Sequence, residues 1–309
     1  MRVLHSVAEL GSEAHKAVVT IGKFDGIHLG HQKLISTAVS QAKAKGLTSV
    51  LVTFDQHPDA VLNPDRLRPQ ILSAEDKQAH VGQLGIDTYL QLSFTSELAS
   101  VEGETFVKET LVDALGAQLV VVGPDFRFGR GGACDVAELI RLGASHGFDV
   151  VSIEPVEVDG QKVSTSAIRA AADVGDVKLA SRMLGYTYQT SGMVEHGLKI
   201  GRTIGFPTAN ISRDGDGYLP RDGVYAGWLR VGDEVYPAAH SVGINETFQA
   251  VPRLVESHVI GRTDLDLYDR VATLEYVDYI RPAAKFNGVD DLVAEINRDI
   301  EKIKTILGI

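Results

Sequence analysis

Two histidines three residues apart, inside a glycine-rich stretch, have the types and spacing for chemistry. The stretch reads Ile21-Gly22-Lys23-Phe24-Asp25-Gly26-Ile27-His28-Leu29-Gly30-His31. It follows an apolar run of strand character and opens a helical pattern. Gly22, Gly26 and Gly30 permit a sharp turn and a close approach of backbone to a ligand. His31 falls at the helix start, where unpaired N–H groups and the helix dipole favour an anion. His28 and His31 can donate hydrogen bonds to phosphate oxygens and offset charge that develops as a pyrophosphate leaves. Such a transfer requires no protein nucleophile: the site aligns an attacking phosphate with the α-phosphorus of a nucleotide. The competing readings are a metal pair and a surface turn. A metal would want a third ligand in an obvious relation, and none is visible.

Further segments have the same double character. Ser164, Thr165 and Ser166 precede a helical pattern with Arg169 one turn in. Their hydroxyl and N–H groups suit a phosphate, and equally a plain N-cap. Phe126 and Phe128 share one face of an extended segment, as core or as a ligand wall. In the later half, Gly201-Arg202-Thr203-Ile204-Gly205-Phe206-Pro207-Thr208-Ala209-Asn210 sets two glycines before a strand. Gly201 and Gly205 suit a phosphate-facing loop. Thr208 and Asn210 point to one face of a strand, and their oxygens suit Mg²⁺, which bridges ATP phosphates in phosphoryl transfer. The same pair fits an ordinary edge strand. A kinase acting on an alcohol gains from a carboxylate base, and residue types alone do not select one among the 41 acids.

The elements that must hold these residues divide the chain. Before about residue 185, apolar runs at 17–21, 49–54, 88–92, 119–122 and 150–153 alternate with helical patterns at 31–45, 74–84, 103–115 and 136–146. That alternation predicts a parallel sheet covered on both faces, with ligands beyond the carboxyl ends of its strands. Residues 166–184 read as helix interrupted at Gly175-Asp176, and Gly185 ends the pattern. Afterwards turn signals crowd between β-type runs at 224–231, 235–242, 254–260 and 271–279, which predicts an antiparallel barrel or sandwich. A final amphipathic helix, 289–307, sets Leu292, Ile296, Ile300 and Ile303 on one face.

Length and charge bound the rest. The 309 residues suit two domains, and 44% apolar with 23% charged residues is ordinary for a globular protein. A net charge of −11 argues against nonspecific nucleic-acid binding, but a local phosphate site needs only N–H groups and a few cations. No apolar run is long enough for a membrane span, and the N-terminus lacks an apolar signal core. The single cysteine, Cys134, excludes an internal disulfide, fits a reducing cytosol and reads as a small loop or helix-start residue. A cytoplasmic protein without membrane or nucleic-acid partners is expected.

The stretch through His28 and His31 resembles the His-x-Gly-His signature of the nucleotidyltransferase superfamily. In its fuller form it resembles the adenylyltransferase half of bacterial bifunctional riboflavin kinase/FAD synthetases. Val52-Thr53-Phe54-Asp55-Gln56-His57-Pro58, Val122-Gly123-Pro124-Asp125-Phe126-Arg127-Phe128-Gly129 and Ser164-Thr165-Ser166-Ala167-Ile168-Arg169 are similar to three further motifs of that family, in order. Gly205-x-Pro207-Thr208-Ala209-Asn210 resembles its kinase signature. The resemblance implies a Rossmann-like α/β adenylyltransferase domain over 1–185 and a riboflavin kinase β-barrel domain with a terminal helix over 186–309. It implies that riboflavin and ATP give FMN and ADP, and that FMN and a second ATP then give FAD and pyrophosphate, with Mg²⁺ in both steps. It implies His28, His31 and Glu256, the last in Val255-Glu256-Ser257-His258, as catalytic residues. Gly22, Phe24, Asp25, Gly26, Gly30, Asp125, Ser164, Thr165, Ser166 and Arg169 would bind ATP for adenylyl transfer. Phe54, Pro58 and Phe128 would line the flavin. Gly201, Gly205, Thr208 and Asn210 would bind ATP in the kinase, with Mg²⁺ at Thr208 and Asn210.

The chain departs from the family at four places. Lys23 stands where the family has a neutral residue, Gln56 where it has Pro, Glu246 where it has Pro, and Asp269 where it has Gly. The last two fall in loops expected near the flavin and bear on substrate affinity more than on reaction type. Two other readings are an adenylyl- or cytidylyltransferase for another phosphorylated substrate, and a noncatalytic flavin-binding regulator. A sensor has no use for His28, His31, Arg169, Thr208, Asn210 and Glu256 as a set.

Overall fold

The computed structural model describes residues 1–11, 16–197, 200–212, 217–243 and 254–309. It contains two compact units. The first comprises Met1–Arg68 and Ala74–Val163, the second Pro69–Ser73 and Ser164–Ile309.

The first unit is built on a six-stranded parallel sheet of β1 (Arg2–Leu4), β2 (Ala17–Ile21), β3 (Thr48–Phe54), β4 (Thr88–Leu92), β5 (Ala117–Val122) and β6 (Asp149–Ser152). The strand order is β1-β4-β3-β2-β5-β6. All five residues of β2 are buried, because a central parallel strand is covered on both faces. Its longer helices are α1 (Leu29–Lys45), α2 (Ala74–Gln83), α3 (Gly103–Phe106, continuing as a π-helix over Val107–Ala114) and α4 (Val136–His146). The sequence pattern gave α3 as one regular helix; the structure widens it from Val107 onward, with the Leu115 N–H donating to the Thr110 carbonyl at 3.2 Å. A hairpin of β7 (Glu157–Val158) and β8 (Gln161–Lys162), absent from the sequence reading, ends the unit.

The second unit opens with α5 (Thr165–Asp173) and α6 (Val177–Leu184), separated where Gly175 takes a left-handed φ of 85°. Six strands then close into an antiparallel barrel: β9 (Gln189–Glu195), β10 (Thr208–Ile211), β11 (Gly223–Val231), β12 (Glu234–Gly243), β13 (Leu254–Val259) and β14 (Val271–Arg281). Their order is β10-β13-β12-β11-β14-β9, with β9 pairing back to β10. Of the two all-β architectures open to the sequence, the barrel is the one formed. Tyr188, Tyr225 and Tyr276 lie buried with their rings 5.3–6.1 Å apart in successive pairs. The terminal helix α7 (Val289–Leu307) buries Ile300 and Ile303 against Ala226 and Ile260. Ile296 joins that cluster, as the sequence periodicity predicts.

The adenylyltransferase and kinase domains inferred from sequence met at residue 185. The compact units divide between Val163 and Ser164, and α5 and α6 fall in the second unit.

Candidate functional site

At the carboxyl end of β2, residues 22–28 form a tight loop into α1. Phe24 (φ 51°) and Ile27 (φ 37°) take left-handed backbone conformations that non-glycine residues rarely adopt, at about 1–3 kcal/mol each. Both side chains are fully buried, and that packing holds the loop in this shape. The Thr53 hydroxyl donates to the Lys23 carbonyl at 3.1 Å, and Gln32 Nε2 to the Ile27 carbonyl at 2.8 Å. The Lys23 side chain is exposed.

The sequence reading started the helix at His31; it starts at Leu29, because His28 is itself the N-cap. Its Nδ1 accepts from the His31 N–H at 3.3 Å. With Nδ1 accepting, the proton of the neutral ring lies on Nε2, which is left as a donor. The two imidazoles stack at 3.6 Å with 16° between planes. A Cβ on Gly30 would stand 3.2 Å from the His28 ring, so the glycine lets that ring lie against the first turn. Burial pushes His28 down to about 4. His31 is pushed well below the usual histidine value by burial first, then by His28 and Lys77. Both are therefore neutral donors at neutral pH, not cations.

The other residues assigned to this site are spread over several loops. Asp25 is buried, whereas Asp125 is exposed and ion-paired with Lys162 on β8. Phe54 packs edge-on to Phe94 at 5.1 Å, and Pro58 precedes a single helical turn, Asp59–Leu62. Gln56 Nε2 donates to the Phe94 carbonyl at 2.9 Å, a tie that proline could not make. Phe128 is buried in the core of the first unit and stacks on Phe126 at 5.7 Å, so the period-two spacing does place both on one face. Ser164, Thr165, Ser166 and Arg169 belong to the second unit. Ser164 is the N-cap of α5, accepting from the Ala167 N–H at 3.1 Å. Arg169 is 9% exposed, donates to the Pro69 carbonyl at 2.9 Å and lies over the Tyr218 ring.

In the barrel, β10 pairs with β13 so that Asn210 stands opposite Glu256 and Thr208 opposite His258. Directly opposed residues share a face, so this register brings Thr208, Asn210, Glu256 and His258 together on one side of the ladder. Ala209, Ile211, Val255, Ser257 and Val259 alternate with them and are buried. Two glycines before β10 are closely packed. A Cβ on Gly197 would fall 2.3 Å from the Asn210 amide nitrogen, and one on Gly201 would fall 2.3 Å from the Phe206 carbonyl. Gly205 has a left-handed φ of 90°. His258 Nδ1 bonds the Pro207 carbonyl at 2.8 Å and pins the end of the loop. A cleft of about 430 Å³, counting its open mouth, is lined by Thr208, Pro207, Arg202, Arg262 and Tyr268 among others. Asn210 and Glu256 are not part of that lining. Asp269, where the family has glycine, takes a left-handed φ of 58°, which an aspartate tolerates better than most residues. Glu246 lies outside the described residues.

Three basic residues escaped the sequence reading. Arg202 lies in the glycine-rich motif, where its residue type alone assigns it no role, and Arg262, in the turn after β13, has no motif around it. Lys77 lies in a polar helical stretch of the kind normally exposed, yet it is only 3% exposed.

Among the described residues no cluster of three or more His, Cys, Asp or Glu could hold a metal ion. Mg²⁺ does not require one, since it is often bound through one or two protein oxygens and substrate phosphates. The Thr208 hydroxyl and the Asn210 amide oxygen, on one side of the ladder, make a pair of hard oxygen donors that fits it.

Comparison with known proteins agrees with both halves. A family model described as FAD synthetase matches residues 11–167, and one described as riboflavin kinase matches residues 184–307. The bifunctional riboflavin kinase/FMN adenylyltransferase of Listeria monocytogenes is 37% identical over 91% of this chain and 90% of its own length. The Bacillus subtilis protein of the same name is 35% identical over 97% and 95%, and the Escherichia coli K12 protein 30% over 100% and 98%. A crystal structure described as a macrolide-efflux protein from Streptococcus pneumoniae matches with a TM-score of 0.87 at 32% identity, covering 98% of both chains. No helix among the described residues here is long and apolar enough to cross a membrane. Matches along nearly the whole length, and a separate family model on each half, show that the chain belongs to the bifunctional riboflavin kinase/FMN adenylyltransferase family.

Proposed function

We propose that the two family activities are carried by the two constellations described above: His28 with the α1 N-terminus for adenylyl transfer, and Thr208, Asn210 and Glu256 for the kinase. The observation that supports this most is the pairing of β10 with β13, which sets the implied Mg²⁺ ligand Asn210 directly across from the implied base Glu256.

In the kinase step the Glu256 carboxylate takes the proton of the riboflavin 5′-hydroxyl, whose oxygen attacks the γ-phosphorus of ATP; ADP leaves. Thr208 and Asn210 would hold Mg²⁺, which supplies charge neutralisation at the ATP phosphates. Gly201 and Gly205 let the preceding loop approach those phosphates. In the second step an oxygen of the FMN phosphate attacks the α-phosphorus of ATP and pyrophosphate leaves. The His28 Nε2–H and the free N–H groups of α1 donate to phosphate oxygens as charge moves to the leaving group. His31 holds His28 in its donor tautomer through its backbone N–H and stacks beneath it. For Ser164, Thr165, Ser166, Arg169 and Asp125 as nucleotide contacts, for Phe54, Pro58 and Phe128 as flavin contacts, and for 1–185 and 186–309 as functional domains, the support is the family resemblance.

The division of labour is tested with two variants. His28→Ala is expected to make FMN from riboflavin but no FAD. Asn210→Ala is expected to make FAD from supplied FMN but no FMN from riboflavin. A folded variant that lost both activities would refute the two-site assignment.

A further inference from the structure

Adenylyl transfer to FMN brings a phosphate up to a triphosphate, and that encounter of anions needs positive charge in the site. The two histidines do not supply it, since burial keeps both neutral. Lys23 is exposed. The first unit contains another cation at this place. Lys77, in the first turn of α2, is only 3% exposed, although lysine is seldom buried without a purpose or a partner. Burial pushes its ammonium below the usual lysine value, the carboxylates of Asp25 and Asp55 oppose that shift and favour the charged form, and Lys77 acts on His31 in turn. Asp25 belongs to the loop after β2 that carries His28. Asp55 is the first residue after β3, the strand hydrogen-bonded beside β2. Lys77 thus lies where the loops from the carboxyl ends of two adjacent parallel strands meet, the position at which such sheets bind ligands. One loop carries the phosphate-donor histidine; the other carries Phe54 and Pro58 on its flanks.

We propose that Lys77 is a substrate-contacting cation of adenylyl transfer, whose ammonium binds the 5′-phosphate of FMN and holds it against the α-phosphate of ATP. Without substrate, Asp25 and Asp55 balance the charge. In the reaction the FMN oxygen–α-phosphorus bond forms, the α–β bridging bond breaks, and pyrophosphate leaves with the electron pair. Lys77 keeps its proton throughout, and no redox partner enters. This inference rests on the adenylyltransferase reading.

The test uses the full chain with Lys77→Met, which keeps length and removes charge, and Lys77→Arg, which keeps charge. Rates of FAD formation from FMN and ATP are measured with KM for each substrate, alongside the riboflavin kinase rate and the melting temperature. For Lys77→Met, kcat/KM for FMN is expected to fall about 10²-fold, the scale of one lost electrostatic contact to a transition state. KM for ATP and the kinase rate are expected to hold, while the melting temperature falls because the buried Asp25 loses its compensating charge, a loss that Lys77→Arg is expected to restore. Lys77→Arg is expected to recover part of the loss. The inference is overturned if Lys77→Met forms FAD at the wild-type rate, if its loss lies in KM for ATP alone, or if it melts early and Lys77→Arg gives no rescue. Failure of the wild-type chain to form any FAD would overturn the adenylyltransferase reading beneath it.

Discussion

His28 does two things through its two nitrogens. Nδ1 closes the first turn of α1 by accepting the His31 N–H, and that bond leaves Nε2–H as a donor, the one proposed to meet a phosphate. The sequence already showed the pair and the glycines around it. It could not show that both rings are neutral, because their burial depends on packing by residues distant in sequence. This neutrality has a measurable consequence. A histidine at about 4 in the folded chain and 6.5 when unfolded leaves the unfolded state with more bound protons between those values. Its contribution to stability is full above about pH 6.5 and is lost as the pH falls towards 4, at about 1.4 kcal/mol per pH unit. His240, buried in the barrel with Nδ1 bonded to Ser257 Oγ at 2.9 Å, is likewise pushed down to about 4 by burial. Thermal melts at pH 7 and pH 5 are expected to show a lower melting temperature at pH 5. An unchanged value would contradict the buried, neutral state of both rings. Residue-level legibility stopped at Lys77, Arg202 and Arg262, whose side chains look like ordinary surface charges until the fold encloses them or turns them to a cleft.

At the scale of elements, alternation and turn chemistry carried most of the reading. The central parallel strands are apolar throughout, and α7 has a sustained helical period, so both were plain in the sequence. β1 is three residues long and the β7–β8 hairpin two residues a strand, too short for any period to show. The β10–β13 register was not legible either, since cross-strand pairing is a long-range property, yet it is what brings Asn210 to Glu256. Gly197 provides an element-scale prediction. Its missing Cβ leaves room for the Asn210 amide, whose atoms would otherwise lie 2.3–2.7 Å away. Gly197→Ala is expected to slow FMN formation by about tenfold or more while FAD formation from supplied FMN continues, the scale of a small displacement of a positioned group. Equal FMN formation by variant and wild type would show that the loop is not held against Asn210.

For the molecule as a whole, the sequence showed two architectures in series, and the structure has both. Where one ends was less legible. Helical periodicity identifies α5 and α6 as helices but does not say which sheet they accompany; the contacts that settle it, such as Lys178 to Asp278 at 2.6 Å, join residues about a hundred positions apart. The FAD synthetase match ends at residue 167 and the riboflavin kinase match begins at 184, so this helical pair lies almost wholly outside both. On the proposed assignment one chain performs two consecutive ATP-dependent transfers at two separate sites. The most direct test is a time course of the purified chain with riboflavin, ATP and Mg²⁺, its products separated by chromatography. FMN is expected to appear first and then to be converted to FAD with release of pyrophosphate. A reaction that yields neither FMN nor FAD would contradict it.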